Sequence, residues 1–205
     1  HVVDEDMGVR ALRQLRELVL HIPENRFDLG TMASHEQLAA DDDIAYCAFN
    51  YPYCNYSRRG FARWPLRFTD LVSLGEHGIL HSTLGGAGLC VSVHSEFREV
   101  AVDYIQFATS PEIQRTLYCD NGGQPGHRSA WLDESCNAQV DNFFTNTLAS
   151  HDASYLRPCY NGFIYMQKTA GPIVAEYLRD GGNEGKVLEA LDEVYRLSLT
   201  GIKPD

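Results

Sequence analysis

No apolar run in the chain approaches the ~18 residues that a membrane-spanning helix needs. Positive charge is scarce: 17 Lys and Arg stand against 28 Asp and Glu, a formal net charge of -11. Nucleic acid as a partner is excluded on that ground, because neutralising phosphates takes a basic face. An anionic membrane surface is disfavoured for the same reason. No two cysteines have C-x-x-C spacing, so the usual zinc and redox signatures are missing. Gly85-Gly86-Ala87-Gly88 lacks the Lys-Ser/Thr of a phosphate loop and precedes a strand-like run rather than a helix, which argues against a nucleotide. No cofactor and no metal is expected. Internal repeats and low-complexity segments are absent. So is a leader-peptide pattern: the chain opens on His1 and moves at once into Asp4-Glu5-Asp6, as a cytosolic chain or a mature or trimmed piece would.

What is present is 205 residues of ordinary globular composition, 44% hydrophobic, enough for one large domain or two small ones. Six cysteines (Cys47, Cys54, Cys90, Cys119, Cys136, Cys159) allow 15 pairings, and spacing does not choose among them. Cys47 and Cys90 lie in apolar, strand-like runs, where a free cysteine behaves as a small hydrophobe. Leu12, Leu15, Val19 and Ile22 recur at helical spacing until Pro23, with acids at the start of the run. Ser34-His35-Glu36-Gln37 reads as a capping box opening a helix through Ala40. Apolar runs at 44–49, 66–74 and 89–93 read as strands. A helix over 95–108 would turn Val100, Ala101, Tyr104, Ile105 and Ala108 inward. Ser110 with Pro111 starts another helix. Further helices are expected over 141–148, 172–179 and 186–199. Short apolar runs alternating with helical periodicity predict an α/β fold, with helices over a small sheet and 89–93 as a buried strand.

Candidate chemistry lies in loops. Sugar sites use flat aromatic faces against C–H-rich surfaces and planar polar groups for hydroxyls. Three loops carry that mixture: Tyr51, Tyr53, Asn55, Tyr56 and Arg58; then Gln124, His127, Arg128 and Trp131; then Arg157 and Tyr160 in Arg157-Pro158-Cys159-Tyr160-Asn161-Gly162. His77 and His81 are four apart, but Gly75 and Gly78 oppose a helix there and no third ligand is evident, so a metal is not expected. Cys90 and His94 could share a face of a strand but lack an orienting third group. Asp41-Asp42-Asp43 reads as a solvated turn.

The order of these segments resembles the carbohydrate-type solute-binding proteins of bacterial ABC importers (extracellular solute-binding protein family 1). The apolar run and Tyr-rich loop at 44–58 are similar to part of the second lobe. The Gly85-Gly86 segment at 84–93 resembles a hinge strand, and 96–131 a helix pair with a Gly/Pro loop. Residues 157–162 and 186–199 resemble the closing segments. Pro52, Cys54 and Cys159 depart from the Gly, Ser and Arg expected there. The resemblance implies an α/β, periplasmic-binding-protein-like (type II) fold that is helix-rich and lacks its N-terminal portion, since family members are about twice as long. Residues 1–80 would be the remainder of the second lobe, and 81–205 the return to the first. It further implies a periplasmic or extracellular protein that binds and does not catalyse. A sugar or polyol would sit in an interlobe cleft for delivery to a membrane permease. Gly85 and Gly86 join the loop residues as ligand contacts, and Trp131, Tyr56 and Arg128 should face a common cleft in the full-length parent. Two alternatives are a carbohydrate-active hydrolase with a carboxylate pair and a truncated, non-binding interaction domain. A cut sheet would expose apolar surface, so self-association or association with a missing N-terminal half is expected.

Overall fold

The computed structural model describes residues 2–24, 27–40, 43–71 and 81–201. In chain order the helices are α1 (Glu5–Val19), α2 (Thr31–Ala40), α3 (Arg98–Thr109), α4 (Pro111–Ile113), α5 (Arg128–Trp131), α6 (Glu134–Ala138), α7 (Phe143–Asp152), α8 (Phe163–Asp180) and α9 (Glu184–Ser198). A 3-10 turn at Cys54–Ser57 follows α2, and a π-helical turn at Gln114–Tyr118 continues α4. The chain divides into two compact units, one of His1–Leu29 with Pro158–Asp205 and one of Gly30–Arg157. The expected boundary at residue 80 adjoins residues 72–80, which lie outside the described residues.

The α/β expectation is overturned. The fold is 56% helical and has essentially no strand. Among the described residues the β structure is an isolated parallel bridge between Thr83 and Tyr155. The runs at 44–49 and 89–93 are short and apolar, but among the described residues no segment supplies the ladder partners that a strand requires. Leu89, Val93, Cys47 and Cys90 are therefore exposed rather than buried. The run at 66–74 is irregular where described, and 72–74 lie outside the described residues, as do Gly75, His77, Gly78, Asp41 and Asp42. Without a sheet to cover, α3 buries none of its residues, and of the inward face expected for it Val100 and Tyr104 are exposed while Ala101, Ile105 and Ala108 are half-buried.

In the first unit α1, α8 and α9 pack on one another. Asp4 caps α1 by accepting from the Met7 N–H at 3.0 Å. Gly8 lets α9 approach, since a Cβ there would meet Leu188 Cδ2 at 2.8 Å. The Arg16 guanidinium donates to the Tyr177 and Leu178 carbonyls at 2.7 and 2.8 Å and lies over the Tyr177 ring. It thereby supplies donors that the last turn of α8 lacks within the helix. Arg13 and the Tyr177 hydroxyl both donate to Glu184 Oε1 at 3.0 Å, fixing the start of α9. That helix is capped by Asn183, which accepts from the Lys186 N–H. Helix α8 runs through Pro172 and begins well before the expected residue 172, so the Lys168 carbonyl has no N–H to meet one turn on.

In the second unit Cys54, Cys119, Ala130, Trp131, Cys136, Val140, Phe143 and Phe144 form one buried cluster. A smaller one of Ala39, Tyr56 and Leu66 meets it through Phe68. Asn137 ties α5, α6 and α7 together: its Nδ2 donates to the Trp131 and Asp133 carbonyls, and its Oδ1 accepts from the Thr145 N–H. Ser110 and Pro111 start α4 as expected, with the Ser110 hydroxyl accepting from the Ile113 N–H.

Candidate functional site

The Thr83–Tyr155 bridge places two distant segments side by side within the Gly30–Arg157 unit. Tyr155 N–H donates to the Ser82 carbonyl at 2.9 Å, and Leu84 N–H donates to the Tyr155 carbonyl at 2.8 Å. The Thr83 hydroxyl donates to the Tyr155 hydroxyl at 2.9 Å, and His81 Nδ1 lies 2.7 Å from the Ala153 carbonyl. Two residues beyond the bridge on each side come Gly85 and Arg157, and the Tyr51 ring meets both. A Cβ on Gly85 would lie 3.0 Å from Tyr51 Cδ1, so the ring rests against bare backbone. Arg157 Nη2 donates to the Tyr51 hydroxyl at 3.1 Å, and its guanidinium carbon sits 5.9 Å from the ring centroid. Space next to Gly86 is open, with no heavy atom within 4 Å of where its Cβ would be.

The same tyrosine loop is pinned from a third segment. Gln124 Oε1 accepts from the Cys54 N–H at 2.8 Å and its Nε2 donates to the Pro52 carbonyl at 3.4 Å. Tyr51, Tyr53 and Gln124 are exposed. Four segments far apart in sequence thus contribute Tyr51, Gly85, Gln124 and Arg157 to one connected surface. Asn55 lies beside it, half-buried, with its Oδ1 accepting from Arg58 Nε.

Other expected site residues have structural work. Tyr56 is buried and stacks on His35, with ring centroids 5.0 Å apart. Trp131 is 6% exposed, gives its indole N–H to the Pro125 carbonyl at 2.7 Å, and packs on Phe144 and His151. Arg128 forms a two-pronged pair with Asp152 at 2.5 and 2.9 Å, and this hydrogen bond holds the Asp152 carboxyl below its usual range. His127 caps α5 by accepting from the Ser129 N–H. The expected common cleft of Trp131, Tyr56 and Arg128 is not formed by these groups: two are core and the third is ion-paired on the surface. Tyr160 belongs to the other unit, where it borders an open apolar hollow of about 270 Å³ with Phe163, Met166 and Tyr195. Its hydroxyl is 2.8 Å from the Ser198 hydroxyl.

Sequence reasoning missed the buried groups. Cys54, Cys119 and Cys136 share one core although no spacing motif links them. Burial pushes the Cys54 thiol up to about 11 and raises Cys119 and Cys136 as well, so all three are held protonated and are poor nucleophiles. Arg58, expected at a ligand, instead donates to Gln139 Oε1 at 2.9 Å and to the Cys119 carbonyl at 2.6 Å. His35 is buried among Tyr53, Tyr56 and Phe68. Neither of its ring nitrogens has a partner of good hydrogen-bond geometry. Burial holds its protonation below the usual histidine value, and the Thr31 carbonyl one turn back offsets only part of that. Among the described residues no group of three or more His, Cys, Asp or Glu side chains could hold a metal.

No family model, no characterised protein and no solved structure matches this chain.

Proposed function

We propose that the chain is a solute-binding component of an ABC importer, taking a sugar or polyol on the surface built by Tyr51, Gly85, Gln124 and Arg157. The observation that carries this reading is the meeting of Tyr51, Gly85 and Arg157, residues of three separate segments expected from the sequence as ligand contacts. An exposed tyrosine ring offers a face for sugar C–H groups. Arg157 holds that ring in place through the Nη2 bond to its hydroxyl. Bare backbone at Gly86, with no heavy atom within 4 Å of where its Cβ would be, leaves room for a ring to approach. A permease as delivery partner, and a location outside the cytoplasm, belong to the same reading through the order of segments. The reading rests on these residues and not on an α/β lobe. A thermal-shift and calorimetric panel of sugars, polyols and other small polar solutes tests it. At least one should bind without turnover, and Tyr51→Ala and Arg157→Ala should weaken it tenfold or more at unchanged melting temperature. A wild-type chain that binds none, or variants that bind equally well, would refute the reading. Turnover would favour the hydrolase.

One observation favours a second reading, an interaction domain. Phe97, Val100, Tyr104 and Phe107 recur three and four residues apart along α3 and are 71, 66, 62 and 51% exposed. A stripe of that kind marks a contact surface, and a second copy of the chain is the partner proposed for it. Light scattering at micromolar concentration should show a dimer that Val100→Asp with Tyr104→Asp returns to monomer. A wild-type monomer would remove this reading.

A further inference from the structure

Two buried thiols share one core cluster and are not bonded to each other. Cys119 is 0% and Cys136 1% exposed, and both lie in the core cluster around Trp131 and Phe144. The Cys136 Sγ–H donates to the Arg115 carbonyl at 3.0 Å. Arg115 is one turn before Cys119 on the same helical stretch. Helical side chains lean toward the N-terminus, over the preceding turn. The Cys119 side chain therefore reaches back toward the carbonyl that Cys136 touches. Cys54, the third thiol of the cluster, points its Sγ–H at the Gly123 carbonyl at 3.9 Å.

We propose that Cys119 and Cys136 form a structural disulfide when the chain folds in the presence of a small-molecule disulfide such as glutathione disulfide. The Cys119 thiolate attacks one sulfur of that oxidant, forming a mixed disulfide and releasing one small thiol. The Cys136 thiolate then attacks the Cys119 sulfur and releases the second. The two cysteines lose two protons and two electrons, the oxidant gains both, and two small thiols leave. Burial keeps both thiols protonated and away from reagents in the closed fold. The exchange therefore takes place during folding or opening, and the finished bond resists reduction until the unit opens. It closes the loop over residues 120–135, which holds Gln124 of the candidate site and the Trp131 ring. Restricting that loop in the unfolded chain should raise stability.

The test is to refold the chain with reduced and oxidised glutathione, alkylate it in denaturant, digest it with trypsin and sequence the linked peptides by mass spectrometry. The expected product joins 116–128 to 129–168 through sulfurs at positions 119 and 136, with Cys54 alkylated. The oxidised wild type should melt several degrees above the reduced wild type, a comparison that needs no variant. In Cys136→Ser the link and the shift should both be lost. Alkylation of all three buried thiols, or a link through Cys54 or Cys159, would overturn the proposal.

Discussion

Replacing Trp131 by alanine is expected to unfold the Gly30–Arg157 unit rather than to weaken ligand binding. The indole is 6% exposed, and its ring centroid lies 5.3 Å from that of Phe144 and 4.5 Å from that of His151. Truncating a buried Trp costs about 3–5 kcal/mol through lost burial and the cavity left behind. Its N–H also serves the buried Pro125 carbonyl at 2.7 Å. Leaving that acceptor unpaired costs about 1–3 kcal/mol more. Against a net stability of about 5–15 kcal/mol, the loss takes most or all of the margin. Trp131→Phe keeps a ring in place and gives up mainly the hydrogen bond, so its cost should be nearer 1–3 kcal/mol. Urea unfolding followed by far-UV circular dichroism separates the two, and needs no tryptophan signal. With a urea slope of about 1–3 kcal/mol per molar, a 3 kcal/mol loss lowers the midpoint by about 1 M or more. An alanine variant within about 1 kcal/mol of wild type would refute the reasoning, and one that also lost solute affinity would return Trp131 to the binding surface.

Glu184 should make the three-helix unit acid-sensitive. Its carboxyl is held down to about 2, first by the Arg13 hydrogen bond and then by its own backbone N–H and the Tyr177 hydroxyl. The unfolded chain takes up this proton first, so the stabilisation is complete above about pH 5 and disappears as pH falls toward 2. Glu184→Gln should flatten that part of the stability–pH curve, and an unchanged slope would remove Glu184 as its source. Gly162→Ala should destabilise the same unit by at least about 1–3 kcal/mol: the glycine φ is +116°, and a Cβ would collide with the Ser198 carbonyl oxygen. Chemical denaturation checks this, and a variant as stable as wild type would contradict the close approach. Burial lowers the protonation point of His35, so the unfolded state binds its proton first and stability should fall as pH drops below about 6.5. His35→Phe should remove that component. Equal pH dependence of the two chains would show that the ring is solvated.

Local rules legible in the sequence determined much of the helix content. Asp4, Ser110 and Asn183 cap the helices they precede, and Pro111 takes its place at a first turn, because capping depends only on neighbours a few residues away. The periodic apolar positions over 186–199 belong to α9, which runs Glu184–Ser198, for the same reason. Tertiary structure alone decided the fate of the short apolar runs. A strand exists only with a partner, and the segment at 89–93 has none among the described residues, so the same Leu89 and Val93 that suggest a buried strand stand in solvent. It also decided which loop aromatics could meet a ligand. Tyr51 and Trp131 both read from the sequence as members of polar, aromatic-rich loops. The parallel bridge at Thr83 and Tyr155 brings Gly85 and Arg157 to Tyr51 at the surface. Packing on Phe144 and His151 holds the Trp131 ring in the core. Such contacts join residues a dozen to more than a hundred positions apart, and no local pattern encodes which distant group will arrive.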